Sequence, residues 1–298
     1  MTITTAPIPA LSGVQLTYKP NVYPVPNSDS LPRMYFVSLF VGSRGSGKTH
    51  SCCQLLKLYE THGISTVVKG KKRDIAQRII LMSPTATANP VFTSLKHLDP
   101  DDVIDSYTDD KLTDVIADIR AEKEATDAYR KALVLWKKFR KCASIDELDY
   151  DDIITLALTN FTAPEPPRFP NGCVTFLVLD DLVGSSAFKA TGKSALTALC
   201  LKNRHLAVSI CICTQNLKAI PKSIRSNTSL FVIFRFASAK VIAEDLYEEV
   251  SSTLTIDEFM ELYQYATEGE HDALIMDFSQ PKERRFKMNW GTALGFAQ

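Results

Sequence analysis

The sequence predicts an α/β fold with a mostly parallel central sheet, flanked by helices and carrying a helical insertion. Three observations predict it. Apolar runs of strand length alternate with segments of helical period through the second half of the chain. A glycine-rich run lies between an apolar strand and a helix. A second apolar strand ends on two adjacent acids.

Residues 1–33 contain Pro7, Pro9, Pro20, Pro24, Pro26 and Pro32 with little periodicity, which reads as an extended N-terminal arm. Residues 34–298 then read as one domain. Phe36 to Val41 is a buried strand, and His50 to Tyr59 has apolar residues near helical spacing. Between them stands GSRGSGKT, Gly42 to Thr49, which fits the phosphate-binding loop G-x-x-x-x-G-K-[ST], the Walker A pattern. The fold expected from this context is that of a P-loop NTPase, RecA-like in kind.

The chemistry explains the spacing. Gly42, Gly45 and Gly47 admit backbone angles that turn several N–H groups toward one anion, with Ser43, Arg44 and Ser46 between them. The following helix directs its positive end at the same point. Lys48 is placed to reach the β- and γ-phosphates, and Thr49 to bind Mg²⁺. ATP and Mg²⁺ are therefore the expected cofactors.

Beyond the first helix come a basic cluster, Lys69, Lys71, Lys72 and Arg73, and a strand near 78–82. A short acidic segment follows, with Asp99, Asp101 and Asp102. Lys111 to Lys141 reads as one long amphipathic helix, with Leu112, Val115, Ile116 and Ile119 on a shared face, and 145–158 as a second helical piece. This block, about 105–160, is too long for a plain crossover and is expected as an insertion on the side of the domain. Its basic end, Trp136 to Lys141, fits both a nucleic-acid contact and an ordinary helix end with two core aromatics.

Strands at 173–179, 207–214, 229–236, 272–277 and 284–290 then alternate with helices at 191–203, 239–250 and 255–266. The first runs into Asp180-Asp181, a Walker B pattern: Asp180 to hold Mg²⁺, Asp181 to orient and deprotonate the attacking water. The second ends in Thr214-Gln215-Asn216. A polar side chain there can register the γ-phosphate, because ligands of open α/β sheets sit at the carboxyl ends of strands.

The chain has 298 residues, 45% of them hydrophobic, which is room for one large α/β domain. Its 34 basic and 34 acidic residues balance, so net charge argues for neither a nucleic acid nor a membrane. The seven cysteines lack zinc-ligand spacing and read as reduced thiols in a reducing compartment. No apolar run reaches membrane-spanning length, and no secretory signal is seen, so the expected setting is intracellular.

Three blocks in order, GSRGSGKTH, TFLVLDD and NRHLAVSICICTQNLKAIPKSIRSN, resemble the FtsK–HerA class of P-loop ATPases. Within that class the chain is most similar to the DNA-packaging ATPases of large DNA viruses and virophages, the group that includes the poxvirus packaging ATPase. The likeness spans roughly residues 34–290 and is least specific at 105–160. It implies a homo-oligomeric ring, pentamer or hexamer, that drives double-stranded DNA into a capsid with ATP. The implied partners are double-stranded DNA and viral capsid components. The implied location is the host cell cytoplasm, in the viral factory, and the virion.

The same resemblance places Lys48, Thr49, Asp180 and Gln215 in the roles given above. It makes Arg204 the candidate arginine facing a neighbour's nucleotide, with Arg225 as rival. Cellular members usually have Asp-Glu where this chain has Asp180-Asp181, and the shorter second acid reaches less far. Candidate pore contacts to DNA are Lys69, Lys71, Lys72 and Arg73, or Lys218 and Lys222, although a basic cluster of this kind is more often a solvated surface than a pore loop. Two other readings stand beside the motor, a small-molecule kinase and a nucleotide-gated interaction subunit. No arginine-rich lid supports the first, and intact Lys48, Thr49 and Asp180 oppose the second.

The division of labour between the two acids is open to a direct test. Asp181→Asn should still bind ATP and lose nearly all steady-state turnover, whereas retention of most activity would remove Asp181 from the role of base.

Overall fold

Central strands that carry apolar residues on both faces must be covered on both. In the computed structural model this is how the chain is arranged. The structure describes residues 23–68, 70–182, 185–188, 194–236, 238, 246–250 and 254–296. After a two-residue strand β1 (Val25–Pro26) come β2 (Val37–Val41), helix α1 (Lys48–His62), β3 (Ile64–Val68), β4 (Lys71–Asp74), β5 (Ala76–Met82) and β6 (Leu98–Ile104). Then follow α2 (Asp109–Phe139), α3 (Tyr150–Leu158), β7 (Cys173–Leu179), α4 (Ala195–Lys202), β8 (Val208–Thr214), α5 (Lys222–Arg225) and β9 (Leu230–Phe234). The last elements are α6 (Tyr247–Val250), α7 (Ile256–Ala266), β10 (Ala273–Asp277), β11 (Phe286–Met288) and β12 (Thr292–Leu294).

The main sheet has the order β12-β11-β10-β9-β2-β8-β7-β5-β6. From β9 to β6 all neighbours are parallel; β10, β11 and β12 extend the sheet antiparallel. This is the mostly parallel sheet, flanked by helices, that the sequence predicts. Strand alternation sorts the side chains onto two faces. Phe40, Phe176, Val178, Cys213 and Phe234 join Cys52, Leu55, Leu56 and Tyr59 of α1 in one core. Leu39, Val41, Leu177, Leu179 and Ile212 join α2, α4 and α7 in the other.

Three elements differ from expectation. The basic cluster, given no element above, is a strand: Lys71, Lys72 and Arg73 lie on β4, which pairs with β3 in a small antiparallel sheet closed by β1. All four β4 residues are exposed, so no alternation of burial marks the strand in the sequence. Lys69 lies outside the described residues. The acidic segment is strand β6 at the sheet edge. Acids argue against strands by propensity, but burial and a charge partner override that at Asp102. The final strand divides into β11 and β12 around a turn at Asn289-Trp290.

Residues 1–22, 191–193 and 239–245 lie outside the described part, so the arm's beginning and the starts of two expected helices are not placed. The rest of the arm is anchored. Lys287 donates to the Ser30 carbonyl at 2.6 Å, Gln280 to those of Asp29 and Leu31 at 3.0 Å, and Tyr59 to that of Pro32 at 2.6 Å.

Helix α2 starts on an N-cap, Thr108, which accepts from the Lys111 N–H. At 1.5 Å per residue it is about 45 Å long. Only Leu112, Val115, Ile119 and Thr126 are buried, so the first half carries most of the packing, while Thr126 and Arg130 beyond it donate to the Phe169 and Asn171 carbonyls. At its far end the Trp136, Phe139 and Phe161 rings meet tilted, with centroids 5.4 and 5.5 Å apart, and Lys138 pairs with Asp149 and Asp152. These contacts account for the aromatic residues and for Lys138 without a nucleic acid.

The packed half is clamped by a charge cluster. Arg78 of β5 is 6% exposed and contacts Asp102 of β6, 4% exposed, at 2.5 Å. It also contacts Asp118 at 2.7 Å and Glu122 at 3.0 Å, both on α2. One guanidinium thus joins two strands and a helix, with three carboxylates sharing its donors. Removing it leaves a buried carboxylate whose remaining cation is Arg168, at 3.0 Å. Arg78→Leu should lower unfolding free energy in urea by about 3 kcal/mol or more, and Asp102→Leu in the same chain should recover part of it.

Candidate functional site

The phosphate loop sits where three parallel strands end. β2 pairs with β8 and β9, and Gly42 N–H donates to the Thr214 carbonyl at 3.3 Å. Gly45 and Gly47 have φ of +78° and +100°, which side chains disfavour. A Cβ on Gly42 would lie 2.6 Å from both the Phe234 Cβ and the Ser46 hydroxyl, so only glycine fits the floor. The Ser46 hydroxyl is buried and has no hydrogen-bond partner. An anion in the loop is one way to satisfy such a group.

Lys48 opens α1 and donates from Nζ to the Ser43 carbonyl at 2.6 Å. Burial pulls its ammonium below the ordinary value; Cys213, Asp180 and Asp181 pull it back up. Thr49 donates to both oxygens of Asp180 at 3.1 Å. Burial pushes the Asp180 carboxyl up, against hydrogen bonds from Thr49 and Cys213. Strand parity explains which acid meets α1. Asp180 follows the alternation of Phe176 and Val178, on the α1 face, while Leu179 faces the other core. Asp181 turns away through φ +54°, and the Gln215 amide approaches its carboxylate at 3.5 Å.

The structure therefore brings together Gly42 to Thr49, Asp180, Asp181 and Gln215. Strand order explains how: β8 lies between β2 and β7, so Gln215 is held between the loop and the acids. The arrangement fits a Mg²⁺–nucleotide. It has a glycine cradle, an unpartnered buried hydroxyl, a lysine, and a hydroxyl–carboxylate pair of hard oxygen donors.

Arg204 is elsewhere. It precedes β8, whereas Gln215 follows it, so the two are separated by the strand's length, on the order of 20 Å. Asn203, 6% exposed, fixes that loop by donating to the Tyr35 and Val208 carbonyls at 3.0 and 3.2 Å. Among the described residues the Arg204 side chain has no ion pair, while Arg225 lies 3.8 Å from Glu249. Lys222 contacts Glu248 at 3.0 Å.

Sequence reasoning missed the residues on the other flank of the loop. Phe234 ends β9 beneath Gly42, and the end of a strand beside a phosphate-binding strand was the available signal. His271 and Trp290 border the loop from the ends of β10 and β11, where no motif points to them.

No family model matches the chain, and no curated protein matches it. Among solved structures it is similar to the genome packaging NTPase B204 from Sulfolobus turreted icosahedral virus 2 in complex with AMP. Identity is 13%, TM-score 0.44, and the overlap covers 86% of this chain and 96% of that one. It is also similar to the cytoplasmic domain of the Thermomonospora curvata type VII secretion ATPase EccC, at 17% identity and TM-score 0.40, over 82% and 24% of the two chains. A third is EssC (ATPases 2 and 3) from Geobacillus thermodenitrificans, at 12% identity and TM-score 0.41, over 89% and 44%. A viral genome-packaging ATPase is thus among the neighbours, as in the group that the motif blocks resemble.

Asp180's shift has a measurable sign. Its carboxyl titrates higher in the folded than in the unfolded chain, so ionising it costs stability as pH rises through the raised value. Without nucleotide, Asp180→Asn should melt higher than wild type at pH 8, and the gain should shrink as pH falls. The same variant should lose the Mg²⁺–ATP stabilisation that wild type shows, about 2.7 kcal/mol at a hundredfold excess over Kd.

Proposed function

We propose that this chain is an ATP-driven motor that moves double-stranded DNA into a viral capsid, acting as a homo-oligomeric ring. The observation that carries the ATPase part is the contact of Thr49 with both oxygens of Asp180 at 3.1 Å, beside Lys48 and the glycine cradle. Two strands separated by a third meet there, which is the arrangement that nucleotide hydrolysis asks of this fold.

Each residue then has a role. The loop N–H groups and the α1 terminus hold the phosphates, and Lys48 leaves the Ser43 carbonyl for the β- and γ-oxygens. Thr49 and Asp180 hold Mg²⁺, which supplies charge neutralisation on those oxygens when bound. Asp181 orients the attacking water and accepts its proton. Gln215, in contact with Asp181 and at the tip of β8, registers whether the γ-phosphate is present.

The ring part rests on Arg204. From the amino ends of the strands it cannot serve its own site, and it has no ion pair among the described residues, so its service is to a neighbour. Arg225, facing Glu249, is the weaker candidate. Translocation on DNA would use backbone phosphate contacts, for which Lys71, Lys72 and Arg73 on exposed β4 are candidates. That DNA and capsid components are the partners is carried by the sequence blocks alone. No helix among the described residues is long and apolar enough to cross a membrane.

Mixing tests the shared site. Lys48→Ala and Arg204→Ala should each abolish DNA-stimulated ATPase, with a loss of about 10³-fold or more for the arginine. Combined at equal amounts they should regain part of it, because some mixed interfaces pair an intact loop with an intact arginine. No regain, in particles shown by light scattering to be mixed oligomers, would remove Arg204 from the site.

A further inference from the structure

We propose that the nucleobase and ribose of the bound nucleotide lie in a groove between α1 and the β11–β12 turn, with the base against Trp290. This rests on the reading that the loop binds a nucleoside triphosphate, and it adds a second, separate binding surface.

The direction of the triphosphate carries the argument. Asp180 and Gln215, which serve the γ-phosphate end, lie on the β8–β7 side of β2. The nucleoside must therefore leave toward β9, β10 and β11. β10 runs antiparallel to β9, and β11 antiparallel to β10. The start of β10 and the end of β11 thus both reach the loop's edge of the sheet. His271 precedes β10, and Asn289-Trp290 follow β11.

A groove of about 830 Å³ is present there, within the range of ligand pockets. It begins at Gly47 and is lined by His50, Ser51, Gln54, His271, Asn289 and Trp290, then continues along α1 to Thr61. From residue 50 to 61 it extends about 16 Å along the helix, so a nucleoside needs only the end beside the loop. His50 and Gln54 stand one helical turn apart on one side of α1, exposed, and offer donors and acceptors to a base edge.

The far wall is preset. The Trp290 indole N–H donates to the Ser51 carbonyl at 3.1 Å and lies 3.0 Å from its hydroxyl, which fixes the ring on α1. Asn289 takes φ +49°, tolerated best by Asn, and ties the turn to β10. Its Oδ1 accepts from the Ala273 N–H at 3.1 Å, and its Nδ2 donates to Asp272 at 2.8 Å. Asn289 is a positioning residue. A fixed aromatic ring is a surface on which any base stacks, so this groove gives affinity for a base while the polar groups of His50, Gln54 and His271 set the choice among bases.

Trp290 is also its own reporter. The chain has two tryptophans, and Trp136→Phe leaves Trp290 alone. With Mg²⁺, ATP should change its emission, and inorganic tripolyphosphate, which fills the loop but has no base, should not. By calorimetry, Trp290→Leu and His271→Ala should weaken ATP about tenfold, from loss of base stacking and edge contacts. Both should leave tripolyphosphate unaffected. The inference is overturned if ATP competes with tripolyphosphate yet leaves the emission unchanged and the variants at full ATP affinity. Equal weakening of both ligands by both variants would also overturn it, since that marks a structural role. If neither ligand binds the parent protein, the nucleotide reading itself fails.

Discussion

The register of the parallel strands sets the distance between the two halves of the site. Val41 pairs with Thr214, and Leu179 with Ile212. The tips of β2 and β8 therefore end at one level, and β7 ends two residues short of it. From that alignment the glycine loop, Gln215 and Asp180 share an edge, and Thr49 at the start of α1 can touch Asp180. A slip of one residue would send Asp180 to the opposite face, because side chains alternate. The two apolar cores prevent this, since each strand has both faces committed.

Much of this was legible in the sequence, for a physical reason. The loop's glycines stand where the backbone needs conformations other residues resist, so chemistry and geometry select the same letters. The strand before Asp180 is apolar on both faces, so it appears as an uninterrupted run. The β3–β4 hairpin was not legible, because β4 is solvated throughout and carries Lys and Arg. Nor was β6, whose buried acid Asp102 is tolerated because of Arg78, a partner distant in sequence. His271 and Trp290 were hidden differently. They reach the loop through the antiparallel end of the sheet, and local patterns carry no information about which strand will lie beside which.

Arg78 and Asn203 show what the unmarked polar residues do. Neither belongs to the site. Arg78 joins β5, β6 and α2, so the first half of the long helix is held against the main sheet. Asn203 holds the loop bearing Arg204 against the start of β2 and β8. A buried amide with several carbonyl partners keeps an exposed arginine at a set height, so its reach is decided by the fold and not by loop motion.

The edge strand β6 has a consequence for how copies of this chain meet. Its pairing with β5 jumps from Ile79–Leu98 to Leu81–Val103, so the backbone between bulges away. Pro100 lacks an N–H, and Asp99 and Asp101 place charge beside it. A strand from another copy finds neither a straight row of donors nor a neutral surface there. Sheet continuation from one copy to another is blocked at that border, so copies that meet there meet through side-chain surfaces. Such surfaces can slide and re-form, which a shared ladder of backbone hydrogen bonds would resist.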